Sequence, residues 1–273
     1  MNVDLSWLNH DSIIEIIETA SQLILQVYIG DDFYVNYKDD KSPLTLADRK
    51  ANDHICSQLK ILYPWIPIIS EENKNADYEE RKKYSFVWLI DPLDGTKEFI
   101  RKNGEFTCNI GLAYMGKPVA GFVTIPVKGL TYWSVQGRGA WCREIGKNWI
   151  SLGEIREGFS KKNVGGSRKG LRVISSRSHL NQETVEFIQT LGDCELVNVG
   201  SSIKILWIAE NLADVYPRMT GCMEWDTCAT HAILNEVGGK IWKYPELNEE
   251  LVYNKETLLN PHFVCKFNEV ITP

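Results

Sequence analysis

Apolar residues early in the chain recur at the spacing of helices. In residues 12–28 the isoleucine, alanine and valine positions fall every three or four residues, which predicts an amphipathic helix. A second helical pattern runs through residues 45–62, and its first turn carries Thr45 and Asp48 in the T-x-x-D arrangement that is typical of a helix N-terminus. A short apolar run at residues 66–69 then predicts a strand. This part of the chain therefore predicts two helices followed by a strand.

The stretch at residues 86–96 is a continuous apolar run that is followed directly by acids and a turn. The run predicts a strand that is buried on both faces. It meets Asp91 and Pro92, and since proline has no N–H to donate to a sheet, we expect the chain to leave the sheet there. Asp94 and then Gly95-Thr96 follow, and the last pair is typical of a tight turn that opens a short helix. Carboxylates beside free N–H groups can hold a divalent metal next to a phosphate.

From residue 106 onward, the pattern predicts an antiparallel meander that is followed by alternating strands and helices. Runs at residues 106–115, 118–126 and 130–135 are separated by short turns, and the meander continues to about residue 152. Residues 153–170 are polar and glycine-rich, which predicts a linker. We therefore expect an N-terminal α+β lobe at residues 1–155 and a C-terminal α/β lobe at residues 171–273. The predicted elements of the second lobe are strands at 171–175, 195–199, 213–216 and 240–242 and helices at 182–191, 202–211 and 226–237.

The composition indicates a globular protein that does not bind polymeric nucleic acid. Among 273 residues 36 are acidic and 30 are basic, which gives a net charge of −6, whereas a nucleic-acid-binding face is basic. An acidic protein can still bind a small polyanion when metal ions supply the positive charge. Seven scattered cysteines without a C-x-x-C pair favour the reduced thiols of a cytosolic protein. The N-terminus lacks the apolar segment of a signal peptide, and we expect no membrane span, so the predicted location is the cytoplasm.

Each candidate acid has an ordinary structural explanation when it is taken alone. Asp48 and Asp226 stand at predicted helix starts, where aspartate usually caps the helix, and Glu71-Glu72 after a strand is typical of surface charge. Taken together, Glu71-Glu72, Asp91, Asp94 and Asp226 form the kind of set of oxygen ligands that hard divalent cations such as Mg²⁺ require. Two such ions can hold a phosphate and activate a water. The phosphate loop, the dinucleotide-binding glycine motif, the helical zinc motif and the serine nucleophile elbow are absent from the sequence.

Three motifs together resemble the inositol monophosphatase superfamily. They are the Asp-Pro-Leu-Asp-Gly-Thr motif at residues 91–96, the Glu71-Glu72 pair upstream and the Trp-Asp-Thr-Cys-Ala segment at residues 225–229. They occur in the order of that superfamily, and the resemblance covers essentially the whole chain. It implies a fold of the α+β class, the layered α-β-α-β-α sugar-phosphatase arrangement, with a cleft between its halves. It also implies a lithium-sensitive phosphatase that depends on two or three Mg²⁺ ions, or on Mn²⁺ in their place.

Within this superfamily, the residues after the motif resemble the 3'(2'),5'-bisphosphate nucleotidases, particularly the bacterial CysQ type. The motif continues as Lys-Glu-Phe-Ile and then as Asn-Gly-Glu-Phe-Thr at residues 103–107, and the segments at 174–179, 200–204 and 216–218 are also similar. Cys228 departs from the alanine that is common in this group, although a small apolar thiol should pack similarly. The implied reaction is hydrolysis of the 3'-phosphate of 3'-phosphoadenosine 5'-phosphate (PAP) to AMP and phosphate in sulfur assimilation. The sulfated analogue, PAPS, is a further candidate substrate.

The resemblance also implies roles for individual residues. Glu72 would orient a water at the metals, Thr96 would hold the attacking water, and Asp48 would accept a proton from the Thr96 hydroxyl. The implied metal ligands are the side chains of Glu71, Asp91, Asp94 and Asp226 and the backbone carbonyl of Leu93. The implied substrate contacts are Glu71, Leu93, Asp94, Gly95, Thr96, Ser176, Ser178, His179, Ser201, Lys204, Arg218 and Asp226.

Three alternatives stay open at this point. Another phosphatase of the superfamily, acting on inositol phosphate, fructose bisphosphate or NADP, would share the acids and differ in the contacts of the second lobe. A non-catalytic sensor of the nucleotide would be expected to have lost some of the acids, or Thr96 or Asp48. The acids could also be caps and surface charge with no site. The sequence predicts a small bisphosphate nucleotide as the binding partner, and it leaves the oligomeric state and a peripheral association with the inner membrane open.

Overall fold

The computed structural model describes residues 3–30, 36–37, 43–162, 170–175 and 181–270. Within these ranges the helices are α1 (His10–Ile29), α2 (Leu46–Leu62), α3 (Tyr78–Arg81), α4 (Thr96–Ile100), α5 (Leu152–Lys162), α6 (Gln182–Thr190), α7 (Ile203–Ala209) and α8 (Glu224–Glu236). The strands are β1 (Asn36–Tyr37), β2 (Pro43–Leu44), β3 (Ile68–Ser70), β4 (Phe86–Asp94), β5 (Thr107–Tyr114), β6 (Lys117–Ile125), β7 (Leu130–Val135), β8 (Ala140–Glu144), β9 (Ile150–Ser151), β10 (Leu171–Ser175), β11 (Cys194–Asn198), β12 (Val215–Arg218), β13 (Gly239–Lys243) and β14 (Phe263–Phe267). Most of these elements fall where the hydrophobic pattern predicts them.

Helices α1 and α2 begin at side-chain caps and pack against each other. The Asn9 side chain accepts a hydrogen bond from the Ser12 N–H at 3.3 Å, and Thr45 and Asp48 form the predicted capping box of α2. The apolar face of each helix is buried, as its periodicity predicts. The buried positions include Ile13, Ile17, Ala20 and Ile24 of α1 and Ala47, Ala51, Ile55 and Leu59 of α2.

Helix α1 has a length and an apolar composition that would allow it to cross a membrane, which the sequence-based expectation missed. In the fold, its apolar face packs on α2 and on strands of the larger sheet. This is the ordinary environment of a core helix, and such a helix passes the same test of length and composition.

The larger sheet has seven strands in the order β3-β4-β5-β6-β7-β8-β9. Strands β3 and β4 are parallel, and each later pair is antiparallel, as the predicted meander requires. Between its two end residues, β4 is buried throughout, which confirms the predicted burial on both faces. Helices α1 and α2 contact this sheet, and α8 packs against β4 to β7.

Helix α8 lies directly on the backbone of the larger sheet because two sheet residues are glycines. A Cβ atom on Gly121 would lie 2.0 Å from the Ala229 carbonyl oxygen, and one on Gly111 would lie 2.8 Å from the Ala229 N. Neither distance is compatible with a side chain, so the helix approaches only because both positions lack one. This packing fixes the first turn of α8, which contains Asp226.

The smaller sheet has five strands in the order β11-β10-β12-β14-β13. Strand β10 pairs in parallel with β11 and β12, whereas β14 is antiparallel to both of its neighbours. Helix α8 contacts β13 as well as the larger sheet, α7 packs on α8, β12 and β14, and α6 packs on β12. The order of layers is therefore α-β-α-β-α, which confirms the predicted fold class.

Pro92 does not take the chain out of the sheet, so that prediction is wrong. Strand β4 continues to Asp94, and its pairing with β5 shifts between Asp91, which faces Asn109, and Asp94, which faces Thr107. Between these two pairs the chain advances by three residues in β4 but by only two in β5. This β-bulge accommodates the proline and turns the neighbouring side chains, which is a frequent feature beside active sites.

Two further expectations about the second half need correction. Residues 153–162 belong to α5 and are not an irregular linker; Arg156 docks this helix by donating to the Ile208 carbonyl at 3.0 Å and by lying 3.6 Å from the centre of the Phe267 ring. The strand at β13 is not the last, because β14 follows it and lies between β12 and β13. The division of the chain into lobes at residues 1–155 and 171–273 stays a prediction.

Candidate active site

The parallel pairing of β3 and β4 places Glu71 beside Asp91. Ser70 stands opposite Ile90, and the Glu71 N–H donates to the Ile90 carbonyl at 3.1 Å, so Glu71, directly after β3, lies beside Asp91 within β4. Asp91 is only 1% exposed, and its Oδ1 accepts from the Leu93 N–H at 3.1 Å. The negative charge of Glu71 acts on the Asp91 carboxyl group and contributes to raising its pKa, after burial. Two of the predicted ligands are therefore neighbours.

A buried serine that the sequence analysis did not single out links Asp94 to Asp226. Ser202 Oγ lies 2.7 Å from Asp94 Oδ2 and 2.8 Å from the backbone carbonyl oxygen of Asp226. The Asn109 side chain of β5 donates to the same hydroxyl at 3.1 Å. The end of β4, the first turn of α8 and the start of α7 therefore meet at one hydroxyl group.

The four carboxyl groups of Glu71, Asp91, Asp94 and Asp226 are called the acid cluster here. Burial raises the pKa of Asp91 well above its ordinary value, and the negative charges of the other three groups add to the shift. The pKa of Asp226 is raised to about 7, first by burial and then by Asp94 and Glu71. Hydrogen bonds from the Cys222 thiol at 3.2 Å and the Met223 N–H at 3.0 Å act in the opposite direction.

The chemistry of the acid cluster fits a hard divalent cation, because the donors are oxygens and their like charges repel one another. The side chains do not form a ready-made cage: in the described part of the chain, no group of three or more histidine, cysteine, aspartate or glutamate side chains has metal-binding spacing. The acid cluster therefore has the negative charge and the oxygen donors that a divalent cation requires, but its side chains are not spaced as a finished metal site. The ligand roles of its four acids and of the Leu93 carbonyl remain predictions.

The predicted proton-relay pair, Thr96 and Asp48, is also brought together. Thr96 Oγ1 lies 3.3 Å from Asp48 Oδ1 and 3.4 Å from the Leu93 carbonyl oxygen. The other oxygen, Asp48 Oδ2, accepts from the Thr45 N–H at 2.7 Å and from the Thr45 hydroxyl at 2.5 Å. Asp48 therefore caps α2 with one oxygen and faces Thr96 with the other.

Asp48 has a pKa near neutrality although two hydrogen bonds from Thr45 favour its ionised form. It is 2% exposed, and its pKa is raised to about 7, mainly by this burial. The charges of Glu72 and Glu71 contribute to the same rise, so both glutamates lie within electrostatic reach of Asp48. A carboxyl group with this pKa can accept a proton at neutral pH and later release it.

Gly95 provides the sharp change of direction from β4 into α4. Its φ of +97° belongs to the left-handed region, which favours glycine, and a Cβ there would lie 3.2 Å from the Glu105 carbonyl oxygen and 3.3 Å from Ser201 Cβ. The predicted turn and short helix are confirmed. Thr96 is the first residue of α4, and this start places its side chain toward Asp48.

A small cavity of about 40 Å³ joins the acid cluster to side chains of the second half of the chain. It is lined by Asp94 and Asp226 together with three predicted substrate contacts, Ser201, Lys204 and Arg218. Lys204 is 6% exposed; burial lowers its pKa, and the charge of Asp94 acts in the opposite direction. Two cationic side chains and two acids thus share one cavity, which suits a ligand that carries phosphates and metal ions together.

Two polar atoms at this cavity are buried without a hydrogen-bond partner in the described part of the chain. They are Ser201 Oγ and Arg218 Nε. Ser201 also has a φ of +48°, which is rare for a residue other than glycine and is concentrated at functional sites. Unsatisfied donors beside a cavity are consistent with a bound anion. The predicted contacts Ser176, Ser178 and His179 lie outside the described residues.

The family model described as the inositol monophosphatase family matches residues 10–268. The chain belongs to the inositol monophosphatase family. Curated relatives include the 3'(2'),5'-bisphosphate nucleotidase CysQ of Salmonella typhimurium, which is 39% identical over 93% of this chain and 97% of the relative, and that of Escherichia coli K12, which is 38% identical over the same shares. Among solved structures, CysQ from Bacteroides thetaiotaomicron matches with a TM-score of 0.80 and 39% identity over 96% of this chain and 98% of that chain. The inositol monophosphatase of Thermotoga maritima shares the fold, with a TM-score of 0.73 at 20% identity over 94% and 91% of the two chains.

Membership of the inositol monophosphatase family confirms the resemblance that the three motifs indicate, and enzymes of this family are metal-dependent phosphatases. The position of Cys228 also agrees with expectation, because its thiol is fully buried on α8 beside Gly111. Ser202 is a residue of this site that sequence reasoning missed. It stands between Ser201 and Lys204, inside a segment that already resembles the nucleotidases, but only the structure shows that its hydroxyl lies 2.7 Å from Asp94 Oδ2.

Proposed function

We propose that this protein hydrolyses the 3'-phosphate of PAP to AMP and inorganic phosphate in sulfur assimilation. The observation that carries the proposal is the 39% identity to a 3'(2'),5'-bisphosphate nucleotidase over 93% of the chain. The cavity agrees with such a substrate, because Lys204 and Arg218 stand beside two acids of the acid cluster. A nucleotide with two separate phosphates can contact the cations with one and the reaction centre with the other.

We propose that Glu71, Asp91, Asp94, Asp226 and the Leu93 carbonyl hold two or three Mg²⁺ ions, with Mn²⁺ as an alternative. When bound, the ions supply positive charge to the phosphoryl oxygens and lower the pKa of the attacking water. The raised pKa values of Asp91 and Asp226 support this assignment, because burial and then the repulsion between the acids raise them, and a bound cation offsets both effects.

Proton movement in this proposal uses Thr96 and Asp48. The Thr96 hydroxyl, 3.3 Å from Asp48 Oδ1, donates to Asp48 while its lone pairs face the attacking water, so a proton can pass from the water to the carboxylate. Thr45 holds the other oxygen of Asp48 and thereby fixes the direction of the relay. Glu72 orients the water. The water attacks the phosphorus in line with the leaving ribose oxygen, without a phosphoenzyme.

The substrate is held from both halves of the chain. We propose that the N–H groups of Gly95 and Thr96 contact the oxygens of the reacting phosphate. The remaining nucleotide contacts are assigned to the substrate-binding side chains, namely Ser176 or Ser178, His179, Ser201, Lys204 and Arg218. We further propose that the enzyme is cytoplasmic, that it works on a small-molecule nucleotide, and that its lobes comprise residues 1–155 and 171–273.

Phosphate release from PAP, with Mg²⁺ and after chelation by EDTA, tests the proposed function. The same assay with inositol 1-phosphate, fructose 1,6-bisphosphate, NADP and PAPS decides the substrate class. We expect the highest kcat/KM with PAP and no release after chelation. Faster hydrolysis of inositol 1-phosphate than of PAP would reject the substrate assignment, and tight PAP binding without turnover would identify a sensor.

A further inference from the structure

Ser202 directly precedes α7, but its side chain does not cap that helix. A serine before a helix usually accepts a hydrogen bond from an N–H of the first turn, whereas the Ser202 side chain makes no such bond and its backbone is already helical, with φ −65° and ψ −9°. Its hydroxyl is used instead for partners far away in sequence, on β4, β5 and α8. The residue is 3% exposed, so these contacts are made without competition from solvent.

The segment before Ser202 is fixed against the first half of the chain. The Gly200 N–H donates to Glu105 Oε2 at 2.8 Å, and a Cβ on Gly200 would lie 2.7 Å from the Glu105 carbonyl oxygen. The left-handed backbone at Ser201 then turns the next residue inward. A non-glycine residue is rare in this conformation, so the fold maintains a locally unfavourable turn that aims the Ser202 hydroxyl at Asp94.

The hydrogen-bonding capacity of a hydroxyl explains what this contact does. A serine hydroxyl has one proton and two lone pairs. The Asn109 amide occupies a lone pair, and the proton faces two acceptors, Asp94 Oδ2 and the Asp226 carbonyl oxygen. A shift of either acid relative to the other would break one of these contacts. The hydroxyl therefore couples the position of Asp94 to that of the first turn of α8.

We propose that Ser202 is a positioning residue that fixes Asp94 relative to Asp226 and thereby sets the affinity of the acid cluster for Mg²⁺. The inference rests on the proposed function only in taking these two acids as ligands. Groups that orient metal ligands typically change metal affinity about 10- to 100-fold when they are removed. Ser202 lines the cavity, but its hydroxyl bonds to Asn109, Asp94 and Asp226. Its removal should therefore change the Mg²⁺ affinity more than the KM for PAP at saturating Mg²⁺.

The test compares Ser202→Ala and Ser202→Thr with the wild type by calorimetric Mg²⁺ titration in the absence of substrate and by the rise of Tm on adding Mg²⁺. Ser21→Ala is the matched control, because it also removes a buried serine hydroxyl, one without a hydrogen-bond partner on α1. We expect Ser202→Ala to weaken Mg²⁺ binding about 10- to 100-fold. We expect Ser202→Thr, which retains the hydroxyl, to restore most of the affinity, and Ser21→Ala to bind as the wild type does.

Equal Mg²⁺ affinity of Ser202→Ala and wild type would overturn the inference, as would equal losses in the alanine and threonine variants. If Ser202→Ala does not fold, Asn109→Leu, which removes the amide that donates to the hydroxyl, is expected to weaken Mg²⁺ binding. Unchanged affinity there overturns the inference as well. A wild type that binds Mg²⁺ but releases no phosphate from PAP rejects the proposed function alone, and the comparison of the variants still decides the role of Ser202.

Discussion

Replacement of Asp48 by asparagine tests its proposed catalytic role separately from its effect on stability. The asparagine can still accept from Thr45 with its oxygen, but its amide then faces Thr96 as a donor. The Thr96 hydroxyl loses its proton acceptor, and we expect kcat to fall by about 10²- to 10⁴-fold, the usual contribution of a general base. In the wild type, activity at saturating Mg²⁺ should fall as the pH drops below about 7, because Asp48 becomes protonated there.

The same substitution should make the free energy of unfolding less dependent on pH. Because the pKa of Asp48 is raised by burial from the ordinary 3.8 to about 7, the folded state binds the extra proton between these values, and the free energy of unfolding falls as the pH rises through this range. From pH 5 to pH 8 this loss spans about two pH units at 1.36 kcal/mol each, or about 3 kcal/mol. Because asparagine does not titrate, the free energy of unfolding of Asp48→Asn should not fall by this amount between pH 5 and pH 8.

Urea unfolding in EDTA at pH 5 and pH 8, together with the pH profile of phosphate release, measures both effects. Asp53→Asn is the matched control, since Asp53 is exposed on the same helix. The reasoning is refuted if Asp48→Asn keeps wild-type kcat, or if its free energy of unfolding depends on pH as strongly as that of the wild type.

Three other substitutions test separate parts of the structure. Asp94→Asn should abolish phosphate release while circular dichroism and Tm show an intact fold; undiminished activity would remove Asp94 from the reaction centre. Lys204→Met should raise the KM for PAP about tenfold, which corresponds to one lost contact of about 1.4 kcal/mol, with a smaller effect on kcat; an unchanged KM would contradict its nucleotide role. Gly121→Ala places a Cβ 2.0 Å from the Ala229 carbonyl oxygen and should lower stability by about 1–3 kcal/mol, whereas Gly158→Ala, in open space on α5, should not. A wild-type Tm for Gly121→Ala would show that α8 can be displaced at no cost.

Local patterns predicted the features that depend on neighbouring residues. The helix periodicity of α1, the capping box of α2 and the Gly95 turn each involve groups a few residues apart, and the structure confirms all three. Motif order also indicated the fold, because the superfamily resemblance extends over the chain. The joint pattern of acids also indicated that Glu71 and Asp91 belong to one site, although their position side by side depends on the parallel pairing of β3 with β4.

Features that depend on long-range pairing were missed. The bulge that keeps Pro92 within the sheet is visible only in the register of β4 against β5, and proline alone predicts the end of a strand. Strand β14 enters between β12 and β13, a position that hydrophobic periodicity does not specify. Ser202 looks like an ordinary helix cap in the sequence, and its role depends on partners 24 to 108 residues away.

The acid cluster is maintained by packing that does not depend on the acids themselves. Gly111 and Gly121 allow α8 to lie on the sheet backbone, and this close approach carries Asp226 toward Asp91 and Asp94. Burial of like charges opposes folding, as the raised pKa values of Asp91 and Asp226 indicate, so the apolar and backbone contacts of α8 must outweigh the repulsion. A purely structural core would gain stability from neutral residues at these positions. The presence of two carboxyl groups, those of Asp94 and Asp226, in one cavity with Lys204 and Arg218 is therefore better explained by a site that binds cations and phosphate together than by the needs of the fold.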